Sequence, residues 1–206
     1  NNLVPVALYL SLLRRRLADD AVGLEILDKI SAGFTNLEAT VNDLLQFTSD
    51  REPQLAVFPV HKLIDEVPGP VPPQLPPQAI SAEVEAPPDV LVPADPHLLR
   101  RAVLNLVLNA IDAMPRGGTL TIIAASDQQA LELEVSDTGP GFSEEALRKA
   151  FEPFFTTKRG GMGLGLAIVA RVAEVHGGSV SAVNCPEGGA ALTLRIPHRT
   201  MKECAA

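Results

Sequence analysis

Along the first fifty residues, apolar side chains recur at alternating intervals of three and four. Leu3, Val6, Leu10, Leu13 and Leu17 form one series, and Leu27, Ile30, Phe34, Leu37, Val41 and Leu44 form a second. A repeat averaging about 3.5 residues runs a single apolar seam down each of two helices. The break at 18–23 is short enough to fold them into an antiparallel hairpin. Two helices of this length cannot enclose their own seams. Pairing two hairpins into a four-helix bundle would cover them, which gives a homodimer through residues 1–50. The alternative is a hairpin packed on the rest of its own chain.

After this hairpin the pattern changes. Pro53 ends the second helix, and residues 51–57 form a linker. Ten of the eighteen prolines fall between Pro68 and Pro96. That density excludes helix and predicts a long loop with short edge strands near Ile80–Glu85 and Val90–Val92. Asp95-Pro96 then reads as an N-cap followed by proline in the first turn, opening a helix from Leu98 to Met114 that stops at Pro115 and Gly117-Gly118. Strands at Leu120–Ala125 and Leu131–Ser136 turn at Asp127-Gln128, the second alternating Leu131, Leu133, Val135 with Glu132, Glu134, Ser136. Ser143 caps a short helix to about Ala150. A further helix, Gly163–His176, ends at Gly177-Gly178. A last hairpin pairs Ser179–Val183 with Ala190–Ile196 across Pro186–Gly189. The expected fold class is α+β: a helical hairpin, then a sandwich of an antiparallel or mixed sheet with helices on one face.

Composition narrows the function. A net charge of -8 and a pI near 5.0 count against nucleic acid, whose phosphates need a cationic face. Cys185 and Cys204 lack metal-ligand spacing, and a reducing compartment is the simplest reading. No run of eighteen apolar residues occurs. The chain opens at Asn1 already inside an apolar-periodic segment and reads as an excised fragment, so any sensor domain or membrane span is expected to lie upstream.

Four short motifs carry possible chemistry. Asn105 and Asn109 are four apart and share one helix face. A carboxamide oxygen there suits Mg2+, although paired asparagines are more often solvated or capping. Asp137-Thr-Gly139-Pro-Gly141 directly follows a strand. A carboxylate beside glycines that admit a flat ring suits an adenine amino group, and a plain tight turn is the alternative. Phe151-Glu-Pro-Phe154-Phe-Thr-Thr-Lys158 sets an aromatic cluster beside a cation that could reach phosphate; it could equally be a satellite apolar cluster. Gly161-Met-Gly163-Leu164-Gly165 opens a helix, where backbone amides and the helix dipole make an anion site. Neither a P-loop nor a dinucleotide fingerprint fits its spacing.

In this order the motifs resemble the N, G1, F and G2 boxes of the GHKL superfamily, over about Phe58 to Pro197. The wording Asn105-Leu-Val-Leu-Asn109-Ala-Ile-Asp112-Ala-Met114, Phe151-Glu-Pro-Phe-Phe-Thr-Thr-Lys158, Gly163-Leu-Gly165-Leu-Ala-Ile and His176-Gly-Gly is similar to the nitrogen-regulation-type branch of sensor histidine kinases. The resemblance implies a Bergerat-type ATP-binding catalytic domain over residues 58–200, followed by a tail at 201–206. It implies ATP and Mg2+ as ligands, with Asn109 holding the metal and Asn105 a second polar contact. Asp137 would take the adenine amino group, with Gly139 and Gly141 shaping its pocket. Gly161, Gly163 and Gly165 would hinge and anchor a lid over the phosphates, with Phe154 and Leu164 among the nucleotide-contacting positions. Thr193 would support Asp137. Lys158 would contact phosphate, joining Asn105 and Asn109 as the catalytic group. Met162 stands where relatives often carry Thr.

The hydrolysing branches of the superfamily carry Glu four residues before the metal-binding Asn, as general base for water. Asn105 stands there instead, which favours phosphoryl transfer to a protein. The expected activity is that of an ATP-dependent histidine kinase, cytoplasmic and signalling to a response-regulator aspartate. None of His61, His97, His176 or His198 fits the acceptor position, so the acceptor is expected just upstream, with Asn1 or Asn2 closing its motif. His176 is expected to cap helix carbonyls. The competing readings are a degenerate GHKL dimer acting as a phosphotransfer or scaffold binding module and a serine kinase of the anti-sigma type.

Overall fold

The computed structural model describes residues 4–17, 20, 22–31, 33–34, 52–66, 80–158 and 161–198. The chain divides into two compact units, Asn1–Ser49 and Asp50–Ala206. In the first, Val4–Arg16 is helical (α1), as are residues 22–31 and 33–34 (α2). Asp20 accepts the amide of Gly23 on its side chain at 3.0 Å and that of Leu24 on its backbone carbonyl at 2.9 Å, which starts α2. Arg14 of α1 pairs with Asp28 of α2. Leu27 is buried, whereas Val6, Leu13 and Ile30 of the expected seams stand exposed. Leu3, Leu37, Val41 and Leu44 lie outside the described residues, and so do the tail and the prolines from Pro68 to Pro77. Among the described residues no helix is long and apolar enough to cross a membrane.

The second unit is built on a five-stranded sheet in the order β2-β4-β5-β7-β6, formed by Ile80–Glu85 (β2), Gly118–Ser126 (β4), Ala130–Asp137 (β5), Ser179–Asn184 (β6) and Ala190–Pro197 (β7). Only β2 and β4 run parallel, so the sheet is mixed. A parallel neighbour needs a long crossover, and β3 (Leu91–Ala94) with helix α4 (Pro96–Ala113) lies in that connection. Alternation sends Leu120, Ile122, Leu131, Leu133, Val135, Leu192 and Leu194 into the core. The opposite face carries Glu134 and Thr193.

Two helices cover the core face. In α4 the buried positions are 99, 102, 103, 106, 107, 110 and 111, an apolar stripe of helical period. Its start is fixed by Asp95, whose carboxylate accepts the amides of His97 and Leu98, with Pro96 in the first turn. Helix α6 (Gly165–Val175) buries Ala167, Ile168, Val169, Val172 and Ala173. Its end is a Schellman motif: Gly178 N–H reaches Ala173 O at 2.8 Å, Gly177 N–H reaches Glu174 O at 2.8 Å, and Gly177 takes φ 70. Gly178 has no room for a side chain, since a Cβ there would meet Arg195 O at 1.9 Å.

The structure adds elements the sequence pattern did not announce. Ala56–Pro59 (β1) begins inside the expected linker and pairs with β3 as a separate two-stranded sheet. Helix α3 (Val60–Asp65) follows it at once. Four- and six-residue elements carry too few apolar positions for a period to emerge, and α3 has no side-chain cap to mark its start.

Candidate functional site

Asn105 and Asn109 face α6 from the middle of α4. The Asn105 amide donates back to Arg101 O at 3.1 Å. A Cβ on Gly165 would lie 3.2 Å from Asn105 Oδ1, so the glycine that opens α6 lets the two helices close on the asparagine. One turn on, Asn109 Oδ1 accepts from the Lys158 ammonium at 3.1 Å. The same ammonium donates to Asp112 Oδ2 at 2.9 Å. Two oxygens three residues apart on one helix face thus converge on a single cation.

Beside this contact lies a cavity of about 160 Å3, bordered by Asn109, Phe155, Lys158, Gly161, Gly163 and Gly165. Phe142, Ala146 and Ala150 add an apolar wall that contributes from α5 (Glu144–Lys149) and its flanks. Gly163 adopts φ 68, and its carbonyl accepts the Phe154 amide at 3.0 Å. A Cβ on Gly163 would stand 2.4 Å from Phe155 O, so this glycine fits where no other residue does.

Asp137 ends β5 and is buried. Gly139 N–H donates to its Oδ1 at 2.8 Å, and the Ala190 amide donates to the same carboxylate. Burial pushes the Asp137 carboxyl above the usual range; the Gly139 and Ala190 amides and the Lys158 charge oppose that rise without cancelling it. Gly139 is wedged between the Asp137 carboxylate and Ala113, and Gly141 takes φ 72. A buried carboxylate with a raised pKa at a strand end has the character of a functional group.

The structure thus gathers Asn109, Lys158, Gly161, Gly163 and Gly165 round one cavity, with Asp137, Gly139 and Gly141 on the loop after β5. One expectation needs correction, and two further residues stand outside the cavity lining. Thr193 stands opposite Glu134 in the β5–β7 register and donates to Glu134 Oε2 at 3.4 Å. Strand alternation puts it on the face away from Asp137, so backbone amides and not Thr193 hold that carboxylate. Phe154 has left-handed backbone (φ 66) and an exposed ring, while Phe155 borders the cavity in its place. Leu164 is buried in the hydrophobic core. Lys158 gains a partner that the motif alone did not indicate, Asp112.

His176 is buried, and its ring is engaged on both sides. Nε2 accepts the Asp95 amide at 2.9 Å, and Nδ1 lies 2.7 Å from Val172 O. It caps a carbonyl, as expected, and in addition joins the end of α6 to the start of α4.

Residues 94–200 match the family described as histidine kinase-, DNA gyrase B-, and HSP90-like ATPase. The sensor histidine kinase ZraS of Klebsiella oxytoca is 38% identical over 122 residues, 58% of this chain and 26% of ZraS. The chain therefore spans about a quarter of that relative's length. The catalytic domain of histidine kinase ThkA superposes with a TM-score of 0.64 at 31% identity, over 70% of this chain and 98% of that domain. ThkA solved in complex with the response regulator protein TrrA superposes with a TM-score of 0.72 at 26% identity, over 97% of this chain and 58% of that one. The chain belongs to the histidine kinase-, DNA gyrase B- and HSP90-like ATPase family, and its relatives within it are sensor histidine kinases.

Proposed function

We propose that this chain is the ATP-binding catalytic region of a sensor histidine kinase, presenting Mg-ATP for phosphoryl transfer to a histidine of the whole protein and onward to a response-regulator aspartate. The observation that carries the reading is the Lys158 ammonium seated on the Asn109 carboxamide oxygen beside a glycine-lined cavity. An oxygen that already accepts a cation is a fair ligand for Mg2+, which prefers oxygens and keeps several waters. The donor set fits the nucleotide as well. Asp137 offers a buried carboxylate to an exocyclic amine, and the start of α6 offers amides to phosphate.

Bound Mg-ATP supplies the phosphoryl group and the metal charge that neutralises it. The chain's own residues bind and orient. Asn109 is the metal contact. Lys158, released from Asn109, turns to the phosphates, and Asp137 accepts from the adenine amino group. Phe142 and Phe155 give the cavity an apolar wall. Asn105 carries no carboxylate and cannot act as general base, so water is poorly activated. A cavity of about 160 Å3 is smaller than ordinary ligand sites of about 300–1,000 Å3.

The exposed apolar residues of the first unit, Val6, Leu13 and Ile30 among them, support a homodimer formed through helices α1 and α2. The ThkA–TrrA complex supports a response-regulator receiver domain as the second partner.

A fluorescent ATP analogue titrated into the chain with and without Mg2+ tests the reading. Expected is Mg2+-dependent binding that Asp137→Ala and Asn109→Ala each abolish or reduce at least about tenfold, a loss of ~1.4 kcal/mol. Binding that ignores Mg2+ or survives both substitutions unchanged would overturn it.

A further inference from the structure

Asn184 ends β6, and its side chain bonds the backbone of Phe142 in both directions. Oδ1 accepts the Phe142 amide at 2.7 Å, and Nδ2 donates to the Phe142 carbonyl at 2.8 Å. A carboxamide used this way stands in for the peptide group of a neighbouring strand and fixes both position and direction. The neighbourhood leaves little slack. A Cβ on Gly141 would lie 2.8 Å from Asn184 Oδ1 and 3.0 Å from Gly189 O, and a Cβ on Gly189 would lie 1.8 Å from Asp137 O. Both glycines have left-handed backbone, φ 72 and φ 85.

The β6–β7 turn therefore grips the loop after β5 at both ends. At one end the Ala190 amide donates to the Asp137 carboxylate. At the other, Asn184 clamps Phe142, whose ring borders the cavity. We propose that Asn184 is a positioning residue for the base of the nucleotide: by clamping Phe142 it sets the span between the Asp137 carboxylate and the Gly141–Phe142 backbone, and thereby the preference for a 6-amino over a 6-oxo purine. The inference rests on the reading of Asp137 as the adenine-binding carboxylate. Recognition of a donor by a buried acceptor depends on alignment within about 0.5 Å, and a group lacking the matching donor leaves the acceptor unpaired. Losing the clamp leaves Asp137 still held by Gly139 and Ala190. The loop beyond it, which fixes the plane of the base, loosens. Preference narrows without the carboxylate being lost.

The test is the affinity of the whole chain for Mg-ATP and Mg-inosine triphosphate, measured by displacement of a fluorescent analogue. Asn184→Ala is expected to weaken ATP about tenfold and inosine triphosphate less than about twofold, narrowing the ratio about fivefold or more. Asn184→Asp keeps an acceptor for the Phe142 amide but sets a carboxylate against the Phe142 carbonyl, and its ratio should lie between. If circular dichroism finds Asn184→Ala unfolded, the near-isosteric Asn184→Asp carries the test, and its ratio must narrow. A ratio unchanged from the parent chain, whether both affinities hold or both fall in parallel, overturns the role of Asn184. No preference for ATP in the parent chain would instead overturn the adenine reading of Asp137, and this inference with it.

Discussion

Lys158 Nζ stands 3.1 Å from Asn109 Oδ1 and 2.9 Å from Asp112 Oδ2, so one ammonium bridges two oxygens a turn apart on α4. Side chains at both ends of the Lys158–Asp112 pair are about half exposed, at 41% and 51%. An ion pair so solvated contributes about 0–1 kcal/mol to stability. Its consequence lies in occupancy: the Asn109 oxygen, the metal contact of the proposed function, is held here by an internal cation.

Lys158→Met should therefore separate stability from binding. The melting temperature should shift by no more than the equivalent of ~1 kcal/mol. On the proposed role of Lys158 at the outer phosphates, ATP affinity should fall about tenfold while AMP affinity barely changes. Calorimetric titration with both nucleotides checks this. Equal losses for ATP and AMP would place Lys158 elsewhere in the site.

Two buried aspartates in this unit should respond to pH with opposite sign. Burial tends to raise the Asp95 carboxyl, but the amides of Gln54, Leu98 and His97 outweigh it and hold the group below its usual value. Its stabilisation is present above the ordinary carboxylate pKa and is lost as pH falls through the depressed one. Asp137 is raised by burial, so the folded state binds its proton more tightly than the unfolded state does. Its ionised form costs stability, and that cost grows as pH rises from the ordinary value through the raised one. Asp95→Asn should lower the melting temperature at neutral pH. Asp137→Asn, which keeps an acceptor for the Gly139 amide, should raise it while removing ATP binding, with the gain fading in acid. Thermal melts of both variants from acid to neutral pH decide the matter, and slopes of the same sign would refute it.

How much of this was legible in the residues follows from the range of each signal. The α4 helix announced itself through Asp95-Pro96 and seven buried positions of one period, and β5 through strict alternation. Both signals are local. The misplacement of Thr193 came from the register: only pairing with Glu134 reveals which face it occupies. That Phe155 and not Phe154 lines the cavity follows from a left-handed backbone at Phe154, which an aromatic residue rarely adopts. The Ala190 amide reaches Asp137 across the sheet, and the backbone carries no letter of its own. Thr193→Val should accordingly leave ATP affinity unchanged, since it removes only a long bond of 3.4 Å to Glu134.

The glycines at the start of α6 should prove unequal. Gly163 has φ 68 and faces Phe155 O, so Gly163→Ala adds about 1–2 kcal/mol of left-handed strain and a backbone clash. A Cβ on Gly161 would meet the Thr156 hydroxyl at 3.1 Å, which also accepts the Lys158 amide but has to give by only a few tenths of an ångström. Gly163→Ala should lose ATP binding, and Gly161→Ala should keep it within about threefold, below ~1 kcal/mol. Comparable losses from both would show that the lid tolerates no side chain at either place.

His176 links stability to the geometry of the site without touching it. Replacing it with Ala leaves the enclosed Asp95 amide without its acceptor, while the Val172 carbonyl still accepts the backbone amide of the same residue at 3.3 Å. A buried polar group left unpaired costs about 1–3 kcal/mol. Asp95 also caps α4, which carries Asn105 and Asn109, so loosening at its N-terminus should spread toward the asparagines only weakly. His176→Ala is therefore expected to lower unfolding free energy by about 2–4 kcal/mol once the lost packing is included. Its ATP affinity, measured well below the melting point, should change less than about threefold. Urea melts paired with nucleotide titration test both halves, and a large affinity loss at unchanged stability would mean that His176 acts on the site directly.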